Sequence, residues 1–170
     1  MSRSQKVLIY SGLLLLILGM TYGLWYAVFA EHQRLDEMGG ALAQSFASAA
    51  AGDLESSHSA LHAYGEAKYR YSREVDAHSH WGGLAILLIL FGAVFDRTGF
   101  AERTRLWLAV SLSASSFAFP LSVLLQTFDH GAWPRVLAAS ASVILIASMI
   151  MAAAGFIYED SNQRSARLRS

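Results

Sequence analysis

Long apolar stretches alternate with polar ones along this chain, and four of the apolar stretches carry no charge at all. Val7 to Ala30 runs 24 residues without one, Trp81 to Phe95 runs 15, Leu106 to Phe128 runs 23 and Val136 to Tyr158 runs 23. A helix needs about 20 residues to cross the hydrocarbon core of a bilayer, so the four read as spans TM1 to TM4. TM2 is short and needs His78 to Trp81 at the interface to reach across. Trp25 and Tyr26 suit the interfacial aromatic belt. Gly19 and Gly23, four apart, allow close approach of another helix. A rival reading takes TM1 as a signal peptide cleaved after Val28-Phe29-Ala30. Its apolar run exceeds the usual h-region of about 7–15 residues, which favours a span.

Glu31 to Ala77 is polar but periodic. Leu35, Met38, Leu42 and Phe46 recur at steps of three and four. Beyond Gly52-Asp53, so do Leu54, Ser57, Leu61, Tyr64, Tyr71 and Val75, with Lys68 interrupting. The pattern predicts two helices with heptad-like apolar stripes. Ala51-Gly52-Asp53 reads as a helix stop followed by an N-cap, with Glu55 in the first turn favoured by the helix dipole. So short a link predicts antiparallel neighbours. With no proline at either junction, these helices should continue TM1 and TM2 as a stalk, with Gly39-Gly40 as its weak point. Pro120 is expected to kink TM3.

The expected fold is all-α: a polytopic membrane four-helix bundle with an outer-side antiparallel helical hairpin between TM1 and TM2. Residues 1–30 form the N-terminal tail and TM1, 31–77 the extramembrane hairpin, 78–158 TM2 to TM4, and 159–170 a cytoplasmic tail. Basic residues near span ends orient it. Arg3, Lys6, Arg97, Arg103, Arg105, Arg164, Arg167 and Arg169 fall on one side. Arg34, Lys68, Arg70, Arg73 and Arg135 fall on the other. The first side is read as cytoplasmic, so both termini lie inside and the hairpin is periplasmic or extracellular, as in a bacterial inner-membrane protein.

Composition narrows the chemistry. Only 15% of the 170 residues are charged and there is no cysteine. That excludes disulfides, thiolate metal sites and covalent c-type haem. The formal net charge is zero, so nothing favours nucleic acid as a partner. No phosphate loop, nucleophile elbow or HExxH is present, and no acid or base lies within a span. No catalytic set is found, which favours a non-enzyme and leaves an enzyme as the third class.

All six histidines fall on the outer side. His32, His78, His80 and His130 should share one membrane depth, and imidazole is a common ligand for copper, zinc, iron or haem iron. Residues two apart on a helix point about 200° apart, so His78 and His80 should face different ways. A haem b is therefore expected between His80 and His130, or a Cu, Zn or Fe ion among the four. Asp76, one turn before His80, would fix its tautomer. Gly82 and Gly83 leave room for a flat cofactor or a helix. A weaker set on the stalk is Glu55, His58, His62 and Glu66, which share a helix face in a spacing used by di-iron bundles. Interfacial histidines also hydrogen-bond to headgroups and helix ends without holding any ion.

Two functions stand ahead of an enzyme. One is metal or haem binding for electron transfer or metal handling. The other is a non-catalytic sensor or assembly subunit, in the lipid bilayer, whose stalk binds a partner or a second copy as a homodimer or larger complex.

Overall fold

The computed structural model describes residues 1–167. Of the arginines that orient the chain, the side chains of Arg164 and Arg167 and the whole of Arg169 lie outside the described residues. The described part is helical: α1 (Arg3–Trp25), α2 (Glu31–Ala50), α3 (Leu54–Val94), α4 (Glu102–Leu125) and α5 (Ala132–Arg167). Four helical stretches are long and apolar enough to cross a membrane. α5 continues through residues 159–167, where the sequence has no glycine or proline beyond Gly155 to stop it.

α1 and α2 are joined by a π-helical turn, Tyr26–Ala30. The Glu31 N–H bonds to the Tyr26 carbonyl five residues back, so the turn holds one residue more than an α-turn. This break was not expected. Gly39-Gly40, the expected weak point, lies inside unbroken helix.

α2 ends where Gly52 takes a φ of +79°, a conformation open to glycine. The Asp53 N–H returns to the Ser48 carbonyl at 2.9 Å, and the Asp53 carboxylate accepts from the Ser56 N–H at 3.0 Å to cap α3. α3 then runs back beside α2 and on beside α1. Its buried positions recur every seven residues: Ala60, Ala67, Glu74, Trp81, Leu88 and, just past its end, Phe95. That is one heptad seam along the whole helix.

The seam between α2 and α3 follows the expected one in part: Ser57 is buried and Met38, Leu42, Tyr64, Tyr71 and Val75 are half-buried. Leu35, Phe46, Leu54 and Leu61 were placed on it by their spacing, yet they are 46%, 67%, 64% and 50% exposed. The contact is made by smaller residues: Ser45, Ser57, Ala60 and Ala67 are buried. Ser45 Oγ donates to the Ser57 carbonyl at 3.1 Å. Short side chains let two helices approach closely, which moves the bulky leucines to the margin.

α4 and α5 pack against each other and against the α1–α3 pair. The core joins Leu8 and Leu15 of α1 to Trp81, Ala85 and Leu88 of α3, Leu112 of α4 and Leu145 of α5. Glycines set the closest crossing. A Cβ at Gly12 would meet the Ala85 carbonyl oxygen at 2.9 Å, and one at Gly92 would meet Ile9 Cγ1 at 2.5 Å. The outer surface of this bundle is apolar too: Ile17, Leu90, Trp107, Val143 and Ile150 are all more than 60% exposed. Pro120 lies buried within α4.

Candidate functional site

The most organised polar chemistry sits where the π-turn meets α3. Adding one residue to the turn rotates α2 by about 100° relative to an unbroken helix. Arg34 thereby faces α3, opposite Glu74. Its Nη2 donates to Glu74 Oε1 at 3.0 Å and its Nε to Oε2 at 3.3 Å. Glu74 is buried and Arg34 keeps 27% of its side chain exposed. Hydrogen bonding to Glu74 holds the Arg34 guanidinium above its ordinary range. Glu37 extends the network to Arg34 at 3.4 Å and to Arg70 at 3.6 Å. Below it lie the rings of Tyr22, Tyr26, Tyr71 and Trp81, with Tyr22 edge-on to Trp81 at 5.1 Å. Tyr26 is 6% exposed, and its buried hydroxyl has no hydrogen-bond partner among the described residues.

Reading the sequence for large apolar stripes passed over Arg34 and Glu74. The signal was present: Glu74 stands in the seven-residue series that otherwise holds Ala60, Ala67, Trp81, Leu88 and Phe95. A carboxylate at a seam position calls for a basic partner on the facing helix.

The histidines are spread over separate environments. His78 and His80 do face different ways. His78 turns to α1, with Nδ1 3.1 Å from the Gly19 carbonyl and its ring over Gly23. His80 packs edge-on against Phe119 of α4 at 4.7 Å and stays exposed. His130 lies edge-on to Tyr69 at 5.3 Å and 3.9 Å from Glu66. His32 pairs with Asp36 at 3.4 Å, both exposed. Asp76, expected behind His80, instead lies 3.7 Å from Arg73. His58, His62 and Glu55 are exposed on α3. Among the described residues, no three His, Asp or Glu side chains are gathered so as to hold a metal ion.

His130 belongs to a second polar group, which ties α3 to the α4–α5 link. Glu66, Tyr69, His130 and Arg135 line an open groove of about 260 Å³. Tyr69 donates its hydroxyl to Gln126 Oε1 at 3.4 Å, and Arg73 lies over the Tyr69 ring at 5.1 Å. The link is held by Asp129, which accepts from the Gly131 N–H at 2.6 Å and from Trp133 Nε1. These bonds hold the Asp129 carboxyl below its ordinary range. Neither group pairs a nucleophile with a base. What both do is lock α3 to its neighbours. Comparison with known protein families, with curated proteins and with solved structures finds no match to this chain.

Proposed function

We propose that this chain is a non-catalytic membrane protein, a sensor or assembly subunit whose helical hairpin is its binding element. In this reading α1, the second half of α3, α4 and α5 span the bilayer with both termini in the cytoplasm. α2 and the first half of α3 stand outside as the hairpin. The eight-to-five excess of Lys and Arg on the terminal side supports the orientation. The apolar outer surface of the four long helices suits contact with lipid.

One observation carries the binding role. Phe46, Leu54 and Leu61 are at least half exposed on the hairpin. Phe46 lies 16 residues beyond the charge-free run that ends at Ala30, or about 24 Å along the helix, too far for lipid to cover it. Large apolar groups left in water beyond the reach of lipid mark a surface that another chain covers. The hairpin is continuous with two spans and clamped to itself at Arg34–Glu74, so a load on its tip would reach the bundle. Haem or metal binding has less support, because His80 and His130 are held against different neighbours.

Two measurements test the reading. A reporter active only in the cytoplasm should work when fused after Ser170 and fail when inserted at Gly52. A photo-crosslinking side chain at Phe46, in intact membranes, should capture a protein chain, and one at Glu55 should not. A reversed reporter pattern, or capture of lipid alone at Phe46, would overturn the proposal.

A further inference from the structure

On α3, Glu66, Arg73 and His80 lie on one flank of the seam. Two of them face the α4–α5 side, through His130 and Phe119. Leu54 and Leu61 lie on the other flank, each just after a seam position. On α2, Leu42 follows seam residue Ala41 and Phe46 follows Ser45. In an antiparallel pair, positions that follow the seam on both helices fall on the same side. One flank of the hairpin, turned away from α4 and α5, therefore carries apolar groups from both legs.

The register brings them to common heights. Ser45 lies opposite Ser57, with hydroxyls 3.2 Å apart. Counting from there sets Leu42 level with Ala60 and Leu61, and Gly39 within a turn of Gly65. Both glycines point to this flank, and a Cβ on either would meet nothing within 4 Å. A glycine inside a helix costs about 1 kcal/mol relative to alanine. Elsewhere in this chain Gly12 and Gly92 are explained by a helix pressed against them. Among the described residues nothing presses against Gly39 or Gly65, nor against Gly40, Gly82 or Gly83.

We infer that this flank is the contact between two copies of this chain, packed through Leu42, Phe46, Leu54 and Leu61 with Gly39 and Gly65 at the close approach. The inference rests on the hairpin being the binding element and names its occupant. Copies in one membrane share height and orientation. A two-fold axis along the hairpin sets α2 of one against α3 of the other, antiparallel, with equal heights meeting. The product is a four-helix bundle with antiparallel neighbours. Over the full length of the legs the flank positions hold one charged residue, Lys68, and two histidines, His32 and His58; Lys68 lies level with Leu35 of the other copy, so no like charges meet across the axis. Each leg is about 30 Å long and about 10 Å wide. The flank thus offers about 600 Å² per copy and about 1,200 Å² in the pair, above the roughly 1,000 Å² a specific interface needs.

The chain has no cysteine, so single cysteines report cleanly. Leu61→Cys, treated in intact membranes with a short bismaleimide, should give a product in which both halves are this chain by mass spectrometry. Ala63→Cys, exposed on the opposite flank at the same height, should give at least tenfold less. Adding Gly39→Leu to Leu61→Cys should abolish the product while helix content by circular dichroism is unchanged. The purified chain should scatter light as two copies, and Phe46→Glu as one. Equal crosslinking of Leu61→Cys and Ala63→Cys, or a single copy for the unaltered chain, overturns the inference. If Leu61→Cys is joined to a different protein, the second copy is excluded while the hairpin remains the binding element. If Leu61→Cys is joined to nothing, both readings fall.

Discussion

The two halves of α3 share one seven-residue repeat but fill it differently. Beside α2 the repeat holds Ser57, Ala60, Ala67 and Glu74; beside α1 it holds Trp81, Ala85, Leu88 and Phe95. In the proposed topology the first half stands in water and the second in lipid. A seam in lipid gains little from hydrophobicity, since the outside is as apolar as the inside, and packing decides. There bulky side chains interlock with Gly12, Gly19 and Gly92. A seam in water is expected to bury its largest apolar groups, and this one does not. It buries small residues and one ion pair, and leaves leucines at the margin. The lesson is that a helix pair can be held by closeness and one polar clamp while its hydrophobic groups serve another contact.

Three sets of substitutions test that contrast. Arg34→Ala should have the largest effect, since it strands the Glu74 carboxylate inside the seam. The expected loss is about 3 kcal/mol, the low end for a broken buried pair because Arg34 is partly exposed. Arg34→Met with Glu74→Leu should recover most of it. Unfolding in detergent, followed by a probe on the hairpin, measures both. An equal loss in the single and double variants would reduce the clamp to an incidental contact.

Next comes the exchange of neighbours on α3. Ala60→Leu overfills a position that is 5% exposed and should cost about 1–3 kcal/mol. Leu61→Ala, at a half-exposed position, should change the isolated chain by less than about 1 kcal/mol when measured at high dilution. The opposite ranking would restore a seam built on the large side chains.

The smallest effects separate the glycines. A Cβ at Gly12 meets backbone, so Gly12→Ala should destabilise the α1–α3 crossing by about 1 kcal/mol or more. Gly40 has open space around it, and Gly40→Ala should stabilise α2 by about 0.5–1 kcal/mol through helix propensity. Loss of stability in both would mean that something also covers the Gly40 side of the hairpin.

Legibility in the sequence followed the range of the interaction. The four long apolar helices, the turn at Gly52 and the Asp53 cap were readable because each depends on a short window. The site was mostly not. Spacing correctly turned His78 and His80 apart, but it could not name Gly19 and Phe119 as their neighbours. Glu74 was visible as a charge, but its burial depended on knowing that Ala60 and Ala67 formed the seam. Leu61 and Leu54 were weighted for size, while the packing selected for fit.

What the chain determines alone is set by composition over twenty residues and by local backbone chemistry: helices long enough to span, their order, and the places where they stop. Helix phase was left to the tertiary structure. Each residue turns an α-helix by about 100°, so the one extra residue in the turn at Tyr26–Ala30 redirects every side chain of α2. No local preference announces that turn. Packing against α3 decides it, because only the shifted phase brings Arg34 to Glu74 and Ser45 to Ser57 while leaving Leu42 and Phe46 on the free flank.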